Sequence, residues 1–187
     1  VTVSGSYTGQ IHAYTNSEGD WYYESTQDSL GVHTPDAYVG FLDVDGTWSS
    51  QHGWGGDSQF DSATAIAPSP TGNYWYVAGN FAGTVDFPGG ATISSSGGSQ
   101  DVWVMQVTDG GNVEWTTSGG GTGQDVLRNL IVDSQDSVAC NFIKSEAYAP
   151  HHHIDDADQS WVTRRPAGTT AYSYIDYESA ITEQNRD

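Results

Sequence analysis

Short apolar segments alternate with polar, glycine-rich segments along the whole chain. Residues 74–78 and 101–107 carry β-branched and aromatic residues at both odd and even positions, a pattern that predicts strands covered on both faces. Residues 109–112, Asp-Gly-Gly-Asn, tolerate positive φ and precede the strand-like residues 113–115, which predicts a hairpin. The chain is therefore predicted to consist of short strands joined by tight turns.

The same order of features recurs along the chain, which indicates internal repeats. Val3 corresponds to Val77 in one shared motif, Asp36 corresponds to Asp101 in another, and a third copy begins at Val138. The predicted units are residues 1–73, with a long insertion at 10–34, residues 74–137, and a partial third unit at 138–187 that holds a loop rich in His and Asp and a C-terminal strand.

Each unit is predicted to supply about four antiparallel strands with two apolar faces, which is the pattern of propeller blades. Residues 76–87, 96–104, 111–115 and 119–121 resemble the bacterial β-propeller repeat proteins of the SBBP type, which occur in secreted and surface proteins. The resemblance implies an all-β fold of propeller-like blades and brings no shared catalytic residues.

About two and a half units cannot close a ring of 4 to 8 blades, so the ring is predicted to be incomplete as a single chain. Exposed apolar faces and strand edges would then pair with other copies of the chain or with other surface proteins. Residues 170–177 predict one more strand, and Tyr172, Tyr174 and Ile175 in it are the predicted assembly residues. A first residue of Val indicates processing or a piece of a longer protein.

Composition narrows the classes of partner. The chain has 24 acidic and 5 basic residues, and its formal net charge of -19 would repel nucleic acid. No apolar run approaches the roughly 20 residues that span a bilayer, which predicts no membrane insertion. The one cysteine, Cys140, excludes an intrachain disulfide and a Cys-based zinc site. The acidic surface favours an extracellular or cell-surface location.

Two segments suggest a divalent metal, Zn²⁺ or Ca²⁺, and no other cofactor is predicted. His151 and His153 are two apart, so on an extended strand they would share one face and bind a metal together with Asp155. The alternative is a solvated polar loop. Residues 43–46, Asp-Val-Asp-Gly, begin like a calcium loop, but the residues that follow depart from that pattern and favour a turn. Calcium bound by clustered Asp residues is the alternative there.

Three aromatic residues of the long insertion, Trp21, Tyr22 and Tyr23, are the predicted glycan-binding platform, because aromatic rings stack on sugars. The alternative is that they cover blade edges or an interface. Glycan binding is therefore one alternative function of the chain.

Signs of catalysis are few. The sequence contains no G-x-S-x-G, H-E-x-x-H, P-loop or C-x-x-C motif. Close carboxylate pairs would permit a secreted hydrolase, but Asp36 and Asp101 recur at matching positions, which favours a hydrogen bond at the start of a strand. The predicted function is a non-catalytic extracellular structural or adhesion module that assembles through blade faces and terminal strands, with glycan binding and hydrolysis as alternatives.

Overall fold

The computed structural model describes residues 1–13, 21–56, 60–87, 91–144, 158–164 and 171–175, which form β-strands joined by turns. Among these residues one 3₁₀ turn, Ser96–Gly98, interrupts the strands. In chain order the strands are β1 (Thr2–Tyr7), β2 (Gln10–Ala13), β3 (Trp21–Glu24), β4 (Asp36–Leu42), β5 (Trp48–Trp54), β6 (Ser62–Pro68), β7 (Tyr74–Phe81), β8 (Thr84–Phe87), β9 (Ala91–Ser94), β10 (Asp101–Thr108), β11 (Val113–Gly119), β12 (Asp125–Val132), β13 (Ser137–Lys144), β14 (Asp158–Arg164) and β15 (Ala171–Ile175). The predicted all-β class is confirmed.

Three antiparallel sheets organise these strands. The first sheet has the order β1-β4-β5, the middle sheet β11-β10-β7-β6, and the third sheet β12-β13-β14-β15. Two separate hairpins, β2–β3 and β8–β9, leave the first and middle sheets between β1 and β4 and between β7 and β10. The middle and third sheets are therefore four-stranded meanders, and the first sheet shows three strands of the same pattern in the described part of the chain.

The middle sheet packs against both of its neighbours. Trp103 and Met105 of β10 belong to an apolar cluster that includes residues of β4 and β5 in the first sheet. Val102 and Val104, which alternate with them, belong to a second cluster with residues of β12 and β13 in the third sheet. Because successive residues of a strand point to opposite faces, the prediction of strands covered on both faces is confirmed for β10.

Tight turns of one kind close the hairpins β4–β5 and β10–β11. The backbone N–H of Gly46 donates to the carbonyl of Asp43 at 3.1 Å, and the N–H of Gly111 donates to the carbonyl of Thr108 at 2.9 Å. Both glycines have positive φ, 84° and 79°, a region in which glycine meets no steric penalty. The predicted hairpins are confirmed, and so is the interpretation of residues 43–46 as a turn.

The sheets do not have the same boundaries along the chain as the predicted repeat units. β6 lies at the end of the predicted first unit but pairs with β7 of the second, with Ala63 opposite Gly79. β12 lies at the end of the predicted second unit but pairs with β13 of the third. The chain passes from one sheet to the next at the glycine-rich corners around residues 55–56 and 120–121, ahead of β6 and β12.

The third sheet continues the repeat beyond the point where the sequence match fades. An aromatic residue stands opposite a small residue at the same place in each sheet: Tyr38 and Gly5 in the first, Trp103 and Gly79 in the middle, and Trp161 and Cys140 in the third. The three sheets therefore share one pairing scheme.

Candidate functional site

Two glycine-rich corners join the three sheets and show how one sheet is attached to the next. At the first corner the backbone N–H of Gly56 donates to Oδ2 of Asp61 at 2.7 Å. At the second corner the N–H of Gly121 donates to Oδ2 of Asp125 at 2.6 Å. Both carboxyls are buried and lie at the N-terminal ends of β6 and β12. An acidic residue thus fixes the chain where it begins the first strand of a new sheet.

A second buried carboxyl lies near each corner, at the start of β4 or β10. Asp36 accepts a hydrogen bond from the backbone N–H of Thr26 at 2.9 Å, and Asp101 accepts one from the N–H of Ser96 at 2.8 Å. The prediction that Asp36 and Asp101 make hydrogen bonds at the start of a strand is confirmed.

The carboxyls approach the corner glycines so closely that no side chain fits there. A Cβ on Gly120 would overlap Oδ1 of Asp101 and lie 2.6 Å from Oδ2 of Asp125, and a Cβ on Gly55 would overlap the carboxyl of Asp36. These three aspartates are at most 3% exposed, so a substrate has no access to them. The carboxyls at these corners therefore hydrogen-bond the backbone where the chain enters a new strand, and hydrolysis stays an untested alternative.

Replacing Asp101 with Asn should change how the stability of the chain depends on pH. Burial raises the pKa of Asp101 in the folded state, and the hydrogen bond from Ser96 offsets part of that rise. A carboxyl whose pKa rises on folding stabilises the fold fully below its unfolded pKa, and this contribution is lost as the pH rises through the folded pKa. The unfolding free energy of Asp101→Asn relative to that of the parent chain should therefore increase as the pH rises above the unfolded pKa of about 4. Urea unfolding at several pH values would measure this difference.

Asp45→Asn is a control for which the effect of pH on the difference in unfolding free energy should have the opposite sign. A hydrogen bond from the backbone of Thr47 lowers the pKa of the exposed Asp45, so its contribution is present above the unfolded pKa and is lost as the pH falls. If Asp101→Asn and the parent chain gave parallel pH profiles, the carboxyl of Asp101 would not be buried as described.

Asn80 connects the middle sheet to the third sheet through a single buried amide. Its Nδ2 donates to the carbonyl of Asp125 at 3.0 Å and, more weakly, to that of Asp101 at 3.4 Å. Its Oδ1 accepts from the backbone N–H of Leu127 at 3.3 Å. Because two of these partners lie on β12, the side chain of Asn80 sets the position of the first strand of the next sheet.

The two hairpins outside the sheets are closed in the same way. The backbone N–H of Gly9 donates to Oγ of Ser25 at 2.8 Å, and the N–H of Ser25 donates to the carbonyl of Gly9 at 2.7 Å. Gly83 and Ser95 make the same two hydrogen bonds, both at 2.8 Å. The β2–β3 hairpin of the first unit is therefore a counterpart of the β8–β9 hairpin.

The predicted glycan-binding residues Trp21, Tyr22 and Tyr23 lie on β3 of the first hairpin. The backbone register places them opposite residues 11–13 of β2. Since alternate residues belong to opposite faces, positions 21 and 23 share one face of the hairpin and position 22 belongs to the other. Glycan binding by Trp21, Tyr22 and Tyr23 stays a prediction.

The predicted metal ligands His151, His153 and Asp155 lie outside the described residues. Within the described part of the chain, no group of three or more His, Cys, Asp or Glu residues is placed to hold a metal ion. Metal binding by the His- and Asp-rich loop stays a prediction.

The predicted assembly residues Tyr172, Tyr174 and Ile175 lie on β15, the outer strand of the third sheet. The backbone of β15 pairs with β14, with Tyr174 opposite Trp161. The prediction that the tail is ordered by strand pairing is confirmed for this strand, and its role in assembly stays a prediction.

No protein-family model and no curated protein matches this chain. The resemblance to the SBBP-type repeats therefore stays a prediction based on the motifs alone. The described residues include no helix with the length and apolar character needed to cross a membrane.

Sequence reasoning did not single out Asn80, Asp61 or Asp125 as the residues that join the sheets. A signal for the two aspartates was present, because each follows a Gly-Gly corner by a few residues, at 55–56 and 120–121. The role of Asn80 carried no such signal, since its partners are backbone groups of a strand far along the chain.

Proposed function

We propose that the chain is a non-catalytic extracellular structural or adhesion module made of propeller-type blades, which assembles with other copies through its outer sheets. The observation that carries this proposal is the row of three sheets with a shared pairing scheme, in which the middle sheet is buried against both neighbours. In propellers, four-stranded antiparallel meanders stack face to face in this way.

The face of the first sheet that points away from the middle sheet is aromatic. Tyr38 packs edge-on against Tyr7 and Trp48, with ring centroids 6.1 and 6.4 Å apart. Val3 is 43% exposed, whereas its counterpart Val77 in the middle sheet is 0% exposed because the first sheet covers it. Tyr38 itself is 9% exposed, and Gln51, which accepts a hydrogen bond from its hydroxyl group, is 1% exposed. The apolar surface left open on this face therefore lies at Val3.

The third sheet also exposes an apolar side chain on the face that points away from the middle sheet. Leu130 of β12 belongs to the cluster shared with the middle sheet, and the next residue, Ile131, is 57% exposed. Since neighbouring residues of a strand point to opposite faces, Ile131 marks the outer face.

The two outer faces correspond to the two sides of a junction that the chain already makes twice. The outer face of the third sheet corresponds to the face that the first and middle sheets turn toward the following sheet. The outer face of the first sheet corresponds to the face that the middle and third sheets turn toward the preceding sheet. Contact between different surfaces of identical chains is head-to-tail and forms a closed ring where the rotation permits. Apolar burial would drive this contact.

Sedimentation velocity over a wide range of protein concentration and salt tests the proposal. We expect an assembly larger than one chain, with a larger assembled fraction at high salt, because each copy carries a net charge of -19 and salt screens the repulsion between copies. A chain that stays monomeric at every concentration and salt would contradict the proposed function. Glycan binding and hydrolysis stay alternatives to be tested separately.

A further inference from the structure

Among the described residues, the outer edge of β1 has no paired strand like the one beside the equivalent strand of the middle sheet. β7 pairs with β10 on one side and with β6 on the other, whereas β1 pairs with β4 and ends the first sheet. β6 of the middle sheet packs near β1, but the described residues include no strand ladder on that edge. An additional strand would therefore have to pair with this edge alongside β6.

Glycine occurs on β1 where such a strand would approach most closely. A Cβ on Gly79 of β7 would overlap the carbonyl oxygen of Ser62, which belongs to the neighbouring strand β6. Gly5 occupies the same place in the first sheet, opposite Tyr38 as Gly79 is opposite Trp103, yet a Cβ on Gly5 would meet no atom within 4 Å. The space that β6 fills beside Gly79 is thus empty beside Gly5.

The chain itself carries a segment with the features of the missing strand. Short links, residues 55–61 and 120–124, connect the last strand of one sheet to the first strand of the next. Residues 176–187 follow β15, the last strand of the third sheet, and contain Glu-Ser-Ala at 178–180. The corner acid and the first residues of β6 read Asp-Ser-Ala at 61–63. An acid followed by Ser-Ala thus occurs after the final strand of the third sheet and at the start of β6, whereas β12 begins with Asp-Val-Leu.

We propose that residues 176–187 of one copy add a strand to the outer edge of β1 in a second copy, an inference that rests on the proposed head-to-tail assembly. A second copy is favoured over the same chain because the middle sheet lies between the first and third sheets, whose strands make no extensive contact with each other. Two copies with three such sheets each supply six sheets, within the range of 4 to 8 blades that closes a propeller.

The test compares the parent chain with Gly5→Val, which fills the space beside β1, and with Ile181→Asp, which places a charge in the middle of the added strand. Ser94→Val, which places the same valine side chain at an exposed position of β9, is the control for Gly5→Val. In sedimentation velocity, Gly5→Val and Ile181→Asp should each raise the dissociation constant of the assembly at least ~10-fold, and Ser94→Val should leave it unchanged. Circular dichroism melts check that each variant folds.

A mixing experiment identifies which copy supplies the strand. Gly5→Val retains an intact tail and Ile181→Asp retains an intact β1 edge, so an equimolar mixture should form a two-chain complex that neither variant forms alone. A labelled peptide of residues 176–187 should bind Ile181→Asp but not a chain that carries both substitutions.

The outcomes separate this inference from the proposed function. A parent assembly that both substitutions leave intact would overturn the tail as the added strand while leaving the assembly itself in place. If the parent were monomeric and Ile181→Asp lowered only its melting temperature, the tail would pair within one chain, and both proposals would fail.

Discussion

Replacing Asn80 with Ala is expected to lower the free energy of unfolding by about 3 kcal/mol, because three buried hydrogen bonds lose their side-chain partner and each contributes about 1 kcal/mol. The amide of Asn80 is 4% exposed and holds the backbone of β12 to β7 and β10. Urea unfolding monitored by tryptophan fluorescence would measure the change. Because the lost contacts join two sheets, loss of cooperativity between the middle and third sheets is expected as well.

Asn112→Ala is the matched control for that experiment. Asn112 lies exposed in the turn between β10 and β11, so the same chemical change there is expected to alter stability by less than about 0.5 kcal/mol. If Asn80→Ala and Asn112→Ala behaved alike, Asn80 would not connect the sheets.

Much of the local structure could be predicted because it depends on residues close in sequence. The alternation of apolar residues around Trp103 identified a strand buried on both faces, and the glycines at 46 and 111 identified the hairpin turns. The recurrence of Asp36 and Asp101 was enough to predict a hydrogen bond at the start of each strand. In each case a short segment fixes the local conformation.

The partition of strands among sheets could not be predicted in the same way. β6 follows β5 closely along the chain, and a repeat comparison groups it with the first unit, but its apolar residues are buried by pairing with β7. That choice depends on contacts such as the approach of Ser62 to Gly79, which no local pattern reveals. The same is true of Asn80, whose partners on β12 are more than forty residues away.

The glycines at positions 79 and 5 should respond differently to the same substitution. Gly79→Ala places a Cβ against the carbonyl oxygen of Ser62, a backbone atom of β6 that cannot turn aside, and overpacking of this kind costs about 1–3 kcal/mol. Gly5→Ala meets no atom within 4 Å and no unusual φ, so its effect on an isolated chain is expected to lie near zero or to be stabilising by up to about 1 kcal/mol.

The comparison is best made in Ile181→Asp, since there the proposed strand from a second copy is removed from the edge of β1. Urea unfolding should then separate the two alanine variants by about 2 kcal/mol or more. In the parent chain the difference in unfolding free energy between the two variants should be smaller, because the new Cβ at position 5 would contact the added strand as the new Cβ at position 79 contacts β6. If Gly5→Ala and Gly79→Ala lowered the unfolding free energy equally in Ile181→Asp, another strand would already lie beside Gly5. If the difference between their unfolding free energies were the same in the parent chain as in Ile181→Asp, no strand would be added beside Gly5.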